Sequence, residues 1–236
     1  MSPAGARTPE WAVFASGKAL AQALARTVAN ALSHAIDRRG RAFIAVSGGS
    51  TPGRFFDALS TTDIDWTRVT VTLVDERFVD RASPRSNAAL VRDRLMTGRA
   101  AAARFIDLHA ETSTVEKAAQ MLDASFAALP WPLDVVVLGM GGDGHTASFF
   151  PDAPNLPDLL DAVSTATVLP VHAPSVPEPR LTLSLARLKS AGLAVLHIEG
   201  EAKKALITSA LMAARPLPVV STINTMENTA RIFWAP

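Results

Sequence analysis

Residues 135–145 read VVVLGMGGDGH, and this stretch decides how the chain folds. Four apolar residues predict a short buried strand, and the glycines after them predict a turn at its carboxyl end. Three further runs are rich in strand-forming residues: residues 43–46 (FIAV) and 194–198 (AVLHI), each followed within two residues by glycine, and residues 69–74 (VTVTLV), followed by Asp75-Glu76-Arg77. Strands that read as near-continuous apolar runs are typical of a parallel sheet covered on both faces.

Helical segments lie between these strands. One apolar series is spaced four residues apart, as on one face of an amphipathic helix: Leu20, Leu24, Val28, Leu32 and Ile36. Helices are predicted over residues 17–37, 51–59, 87–95, 114–129 and 201–213. The alternation predicts an α/β fold with a single doubly wound, mainly parallel, Rossmann-like sheet and helices on both faces.

The domain organisation follows from length and composition. The chain has 236 residues, which suits one large domain, so residues 1–236 are predicted to form a single domain. The one shift in composition is a proline-rich piece, residues 151–179. We expect it to form an ordered loop region with an edge strand over residues 162–169, because apolar runs continue after it.

Composition excludes several classes of function. The chain has 23 basic and 22 acidic residues, so no nucleic acid or membrane partner is expected. Cysteine is absent, which excludes disulfides, cysteine nucleophiles and thiolate metal sites. Tyrosine is absent too, so no phenol can act as acid or base. Residues 1–15 show no export signal and no apolar stretch is long enough to span a membrane, which predicts a cytoplasmic protein.

The turn after residues 43–46 is a candidate phosphate site, because ligands of doubly wound sheets bind beyond the carboxyl ends of the strands. Its residues are Ser47, Gly48, Gly49, Ser50 and Thr51, followed by Pro52. The glycines let backbone N–H groups approach an anion, which the start of the next helix also favours. Pro52 suits the first helical turn, and Ser50 or Thr51 is expected to cap it. A capped turn without a ligand is the alternative.

The turn after residues 135–138 carries the best candidate base. Gly139, Gly141 and Gly144 match the spacing of a dinucleotide fingerprint, but prolines interrupt the helix that should follow, so no dinucleotide is predicted. His145 is the candidate general base, because imidazole titrates near neutral pH, and Asp143 is placed to orient its ring. The alternative is a helix-capping aspartate beside a surface histidine.

Other charged residues follow strand ends. Arg77 is a candidate to stabilise an oxyanion, and Asp75 to bind hydroxyl groups or tune the imidazole; a solvated turn is equally compatible with them. Arg180 and Lys203 are possible phosphate partners, although single basic residues are more often surface charges. A lysine in a first helical turn opposes the helix dipole, which suggests a nearby anion. No two histidines have zinc-ligand spacing, so neither a metal nor a cofactor is predicted.

Together these motifs resemble the 6-phosphogluconolactonase family. The matching segments are AVSGGSTP (45–52), VDERFV (74–79), SNAALVRDRL (86–95), LGMGGDGHTASFFP (138–151), RLTLS (180–184) and GEAKKAL (200–206). The family is similar in fold to hexosamine-phosphate deaminases, which carry a Phe-Asn-Glu-Pro run after the histidine turn. Here Phe150 takes the position of that glutamate and cannot transfer a proton, which favours a lactonase.

The resemblance implies hydrolysis of 6-phosphoglucono-1,5-lactone to 6-phosphogluconate, in the oxidative branch of the pentose phosphate pathway. His145 would activate water, Arg77 would offset the charge of the intermediate, and Asp143 would orient His145 or the sugar. The phosphate would be held by Ser47, Gly48, Gly49, Ser50, Thr51, Arg180 and Lys203. The expected partner is this small sugar phosphate lactone, and the expected assembly is a monomer or weak homodimer. A hexosamine-phosphate deaminase or isomerase and a non-catalytic sugar-phosphate-binding protein are the alternatives.

Overall fold

The computed structural model describes residues 8–213 and 216–236 of the chain. Its strands are β1 Glu10–Val13, β2 Ala42–Val46, β3 Val69–Leu73, β4 Asp75–Arg77, β5 Arg104–Ile106, β6 Val135–Leu138, β7 Val168–Val171, β8 Arg180–Leu183, β9 Leu193–Glu199 and β10 Arg231–Ala235. Its α-helices are α1 Gly17–Arg39, α2 Gly53–Ser60, α3 Asn87–Arg94, α4 Val115–Ala127, α5 Leu156–Leu159, α6 Leu185–Leu188, α7 Glu201–Leu211 and α8 Pro218–Thr225. Residues 1–7, part of the segment in which no export signal is predicted, lie outside the described residues.

The central sheet has seven strands in the order β1-β10-β9-β6-β2-β3-β5, and every neighbouring pair is parallel. All residues of β2 and of β6 are buried. Because successive side chains of a strand point to opposite faces, this burial means that both faces are covered. The predicted α/β fold with a mainly parallel, doubly wound sheet is confirmed.

The order of the strands reverses between β2 and β6. From β2 the chain continues outward through β3 and β5, and from β6 it continues through β9 and β10 in the opposite direction. Ser47 N–H donates to the carbonyl of Val137 at 2.9 Å, so the turns after these two strands begin side by side. Such a reversal point opens a crevice at the carboxyl edge of the sheet, where ligands bind.

A second sheet was not predicted. It contains β4, β8 and β7, and both of its pairs are antiparallel. The solvated turn that was one of the two alternatives for residues 75–77 is wrong, because these residues form β4. Val74 connects the two sheets: its N–H donates to Val46 of β2 at 3.0 Å, and its carbonyl accepts from Leu183 of β8 at 2.9 Å.

The edge strand predicted over residues 162–169 is displaced along the chain. Its place is taken by β7, Val168–Val171, at the edge of the second sheet. Pro170 lies within β7, and proline is tolerated there because an edge strand leaves some backbone N–H groups unpaired. The prolines of this region therefore do not exclude a strand, but the strand begins later in the sequence than the apolar residues suggest.

The predicted long helices are confirmed within a few residues at either end. In α1, Leu20, Leu24, Val28 and Leu32 are fully buried, and α1 packs against α2 and β2. The prediction for the start of α2 is wrong: Pro52 itself is the N-cap, and no side chain of the described residues caps the helix. Within residues 8–213 and 216–236, no helix combines the length and the apolar character needed to cross a membrane.

Candidate active site

A cleft of about 220 Å³ opens at the reversal point of the central sheet. Its walls contain the predicted residues Ser47, Gly48, Gly49, Ser50, Thr51, Asp75, Arg77, His145, Arg180 and Lys203. Asp143 does not line the cleft but lies beside His145. The structure therefore brings together residues from five separate segments of the sequence. Residues that line the cleft without a predicted role include Asn87, Ala147 and Val176.

His145 is held by its own turn. Its ring Nδ1 lies 2.6 Å from Asp143 Oδ1, and its backbone N–H donates to the same oxygen at 3.1 Å. Gly141 N–H donates to the carbonyl of His145 at 3.0 Å and closes the turn. When Nδ1 carries the proton and donates it to Asp143, Nε2 has a free lone pair. That nitrogen can then accept a proton from a ligand in the cleft.

The electrostatics of Asp143 suit an orienting role. Burial alone would raise the pKa of Asp143, but the hydrogen bonds from His145 hold this pKa below its usual range. The carboxylate is therefore charged at neutral pH and stabilises the Nδ1–H tautomer, and also the imidazolium that forms when Nε2 takes a proton.

Because Gly141 has no side chain, the imidazole of His145 can lie close to its backbone. A Cβ atom at this position would lie 2.2 Å from His145 Cε1 and 2.6 Å from Asp143 Oδ1. Both distances are far shorter than a van der Waals contact. Any larger residue would displace the histidine–aspartate pair, so this glycine is required by close approach and not by the fingerprint pattern to which it also belongs.

Phe150 packs against the base. Its ring centroid lies 4.3 Å from that of His145, and the side chain is 2% exposed. The guanidinium of Arg180 lies 5.7 Å from the centroid of the same ring. The position that holds a glutamate in the deaminases thus holds an apolar ring that packs against both His145 and Arg180.

Arg77 and Arg180 are neighbours across the second sheet. They are direct partners in the antiparallel register of β4 and β8, so their side chains leave the same face. The Nε atom of each is buried and has no hydrogen-bond partner within the described part of the chain. Burial lowers the pKa of Arg180, an effect that the nearby negative charge of Asp75 opposes. Two adjacent guanidinium groups with unpartnered Nε donors favour the binding of anionic groups beside them.

Asp75 is 7% exposed and makes a structural contact. Its Oδ2 accepts a hydrogen bond from Ser148 Oγ at 2.6 Å, which ties β4 to the segment that follows His145. The backbone carbonyl of Asp75 accepts from Asn87 Nδ2 at 2.9 Å. These contacts fix the position of Asp75 at the wall of the cleft.

The loop of residues 47–51 is fixed by polar contacts to neighbouring turns. Ser47 Oγ accepts from the N–H of Gly139 at 3.0 Å, so this hydroxyl joins the loops after β2 and β6. A Cβ atom on Gly48 would lie 2.0 Å from Asn87 Oδ1. The loop leads into the uncapped start of α2, whose N–H groups are free to meet an anion.

Lys203 completes the basic wall of the cleft. It lies half-buried in the first turn of α7, while the next residue, Lys204, places Nζ 3.6 Å from the ring centroid of Trp234. Burial lowers the pKa of Lys203, and the charge of Glu199 acts in the opposite direction. The two adjacent lysines therefore have different surroundings, and only Lys203 lines the cleft.

Glu76 is a structural residue that the sequence did not single out. Its carboxylate is almost fully buried and accepts from the backbone N–H groups of Arg77, Asn87 and Ala88, each at 2.7 Å, and from Ser86 Oγ at 3.0 Å. Burial raises the pKa of Glu76, against the effect of these hydrogen bonds. The carboxylate caps the start of α3 and thereby places Asn87 at the cleft. The sequence did carry a sign of this role: a charged residue that follows a predicted strand and precedes a predicted helix.

A metal centre is not indicated by the side chains. Among residues 8–213 and 216–236, no group of three or more histidine, aspartate or glutamate side chains is arranged to hold a metal ion. His172 pairs with Glu116 at 2.6 Å, away from the cleft, and His197 is buried in β9.

The chain is similar to known proteins in both sequence and structure. Residues 15–234 match the family described as glucosamine-6-phosphate isomerases/6-phosphogluconolactonase. A 6-phosphogluconolactonase of Mesorhizobium japonicum is 53% identical over 226 residues, which cover 96% of this chain and 95% of that protein. One of Pseudomonas aeruginosa is 45% identical over 92% of this chain and 91% of that protein. The crystal structure of a 6-phosphogluconolactonase from Shewanella baltica superposes with a TM-score of 0.92 at 36% identity, covering 98% of this chain and 99% of that one. These matches confirm the resemblance predicted from the motifs, and the chain belongs to the glucosamine-6-phosphate isomerase/6-phosphogluconolactonase family.

Proposed function

We propose that the chain hydrolyses 6-phosphoglucono-1,5-lactone to 6-phosphogluconate in the cleft beside His145. The observation that carries this proposal is the 2.6 Å contact between His145 Nδ1 and Asp143, which leaves Nε2 as a base in a cleft with three basic side chains. A lactone is an activated ester, so water and a well-placed base suffice for its hydrolysis. The named relatives are lactonases, and the chain is an enzyme of that class.

The reaction begins when His145 Nε2 takes a proton from a water molecule as its oxygen attacks the lactone carbonyl. The carbonyl oxygen becomes negatively charged, and the guanidinium of Arg77, which has an unused buried Nε donor, offsets that charge. Collapse of the tetrahedral intermediate breaks the ring C–O bond. The imidazolium returns its proton to the departing ring oxygen, so the product is the open-chain acid and His145 is restored. Asp143 keeps Nδ1 protonated throughout.

The other end of the cleft anchors the phosphate. The loop of residues 47–51 and the uncapped start of α2 offer backbone N–H groups, and Arg180 and Lys203 offer positive charge. Binding energy at this remote group positions the carbonyl against His145 and Arg77. A dianionic phosphate would also offset part of the cost of burying these two cations.

Deamination of a hexosamine phosphate is disfavoured by Phe150. The deaminase mechanism needs a carboxylate at this position, whereas Phe150 presents an aromatic ring 4.3 Å from that of His145. Release of ammonia from glucosamine 6-phosphate would contradict the assignment. A purely binding function would leave the histidine–aspartate pair at the wall of the cleft without use.

The decisive experiment measures turnover of freshly generated 6-phosphogluconolactone, corrected for spontaneous hydrolysis, by the wild type and by His145→Ala. Loss of the base should lower kcat on the order of 100-fold or more. His34→Ala, at an exposed position on α1, is the matched control and should keep wild-type turnover. Wild-type kcat in His145→Ala would refute the general-base assignment.

We further propose that the chain acts in the cytoplasm as a single catalytic domain over residues 1–236 that needs no cofactor. The family match over residues 15–234 supports a single enzyme domain that acts on a small molecule. The net charge of +1 gives no reason to expect a polyanionic partner. The proposed assembly is a monomer or weak homodimer. Sedimentation velocity over a range of concentrations tests the assembly, and a tight oligomer at low concentration would contradict it.

A further inference from the structure

Arg180, a proposed phosphate ligand, has an acidic neighbour that the proposed reaction does not use. Glu178 Oε2 lies 4.0 Å from Arg180 Nη2, which is longer than a hydrogen bond. The Glu178 side chain is 16% exposed and that of Arg180 is 9% exposed, so water screens their attraction only weakly. A carboxylate at this distance competes with a phosphate, because a small rotation would close it onto the same guanidinium.

Arg85 occupies both oxygens of this carboxylate. Its Nη1 lies 2.6 Å from Glu178 Oε1, and its Nη2 donates to Glu178 Oε2 at 2.8 Å. A guanidinium binds a carboxylate most strongly in this two-pronged geometry. Of the two arginines that Glu178 faces, Arg85 therefore holds it by hydrogen bonds and Arg180 does not.

The backbone of Arg85 is held without help from Glu178. Its N–H donates to Ser83 Oγ at 3.2 Å, its carbonyl accepts from Arg77 Nη1, and the next residue, Ser86, is the N-cap of α3. The Arg85 side chain is 53% exposed. Removal of this side chain should therefore leave both the loop and the fold in place.

Glu178 has a use while the cleft holds no anion. Arg77 and Arg180 are direct cross-strand partners of like charge, and a nearby carboxylate lowers their repulsion. Burial lowers the pKa of Arg180, whereas the negative charges of Asp75 and Glu178 act in the opposite direction. The same negative charge becomes unfavourable when a phosphate enters, unless another group holds it.

We propose that Arg85 is a positioning residue for phosphate binding: it holds the Glu178 carboxylate away from Arg180 and so leaves that guanidinium open to the phosphate. This inference rests on the proposed phosphate role of Arg180. Among the described residues, Arg85 is not one of those that line the cleft, so it acts through Glu178. Without Arg85, Glu178 pairs with Arg180, and a phosphate must break that pair in order to bind.

The experiment measures the Kd of 6-phosphogluconate for the intact protein by calorimetry at neutral pH. In Arg85→Ala the Kd should rise on the order of tenfold, because the phosphate must displace a charge-assisted hydrogen bond between Glu178 and Arg180. Arg81→Ala is the matched control, since it removes an exposed arginine of the same loop that lies 3.7 Å from Asp107. Its Kd should stay within about twofold of the wild type.

Removal of the competing carboxylate should reverse the loss. Glu178→Gln alone should bind with wild-type affinity or up to about threefold more tightly, because the amide has no charge with which to hold Arg180. The double variant Arg85→Ala/Glu178→Gln should return to within about threefold of the wild type. It lacks the ion pair as well, so its recovered affinity cannot come from the stability of that pair. A role limited to tethering the two segments would instead weaken all three variants equally.

Three outcomes overturn the inference alone: wild-type affinity in Arg85→Ala, an equal loss in Arg81→Ala, or a Glu178→Gln or double variant that binds as weakly as Arg85→Ala. Arg180→Ala tests the role on which the inference rests. It should bind weakly, and Arg85→Ala should add no further loss to it. Wild-type affinity in Arg180→Ala would remove the phosphate role of Arg180, and the role of Arg85 with it. Absence of lactone turnover by a wild type whose variants follow the expected Kd pattern would refute the proposed function alone.

Discussion

The two ends of the cleft are built in different ways. At the reacting end, His145, Asp143 and Gly141 belong to one turn of the chain, and hydrogen bonds within that turn orient the imidazole. At the phosphate end, Arg180 comes from the second sheet and Lys203 from the start of α7, while the loop of residues 47–51 comes from the central sheet. Local structure holds the proposed base, whereas tertiary structure assembles the proposed anion site.

This difference has a chemical reason. Proton transfer needs one ring held within a fraction of an ångström, and a short turn with internal hydrogen bonds gives that precision. A dianion needs several positive groups around it, and a single segment that brought them together would suffer their mutual repulsion in the free enzyme. Arg77 and Arg180 lie on different strands of the second sheet, and these rigid strands keep them in place although both carry positive charge. The two ends should therefore respond differently to substitution.

The largest effect is expected from crowding the reacting end. In Gly141→Ala the new Cβ would lie 2.2 Å from His145 Cε1, so the imidazole must move. A displacement of about 1 Å lowers kcat on the order of 100-fold, whereas KM should change little because the phosphate end is untouched. Gly142→Ala is the control, since nothing lies within 4 Å of its Cβ position. Equal kcat values for the two variants would show that the base is not held by its turn.

A smaller effect is expected from removing one cation at the phosphate end. Arg180→Ala loses a charge-assisted hydrogen bond of about 2 kcal/mol, so kcat/KM for the phosphorylated lactone should fall about 30-fold, chiefly through KM. Hydrolysis of unphosphorylated gluconolactone should be unchanged. Arg180→Lys should recover part of the loss, and Arg92→Ala, a surface ion-pair partner of Asp107, should have no effect. Equal losses on both lactones would place Arg180 at the reacting end.

The same contrast explains what the sequence could predict. The turn of residues 139–145 shows glycine, aspartate and histidine together, so local sequence was enough to predict the candidate base and its partner. Arg180 and Lys203 appeared only as single basic residues, because nothing local indicates that they meet. The second sheet was missed since β4 is three residues long and carries charge instead of an apolar run. Asn87 lacked a predicted role because its place at the cleft depends on Glu76, a long-range contact with the start of α3.

The smallest effect concerns the core behind the phosphate end. Burial lowers the pKa of His197 to about 4, below the value of about 6.5 in an unfolded chain. Between these values the unfolded chain binds a proton that the folded chain does not, so stability is full above pH 6.5 and falls as the pH decreases. From pH 6.5 to pH 5 this linkage amounts to about 1.5 kcal/mol. Urea unfolding of wild type and His197→Gln across this range measures it: the wild type should lose about that much more, while His34→Gln, at an exposed position, should follow the wild type. Parallel pH profiles for wild type and His197→Gln would mean that the buried ring already carries its proton beside Glu199, and the phosphate end would then be backed by an ion pair instead of a neutral histidine.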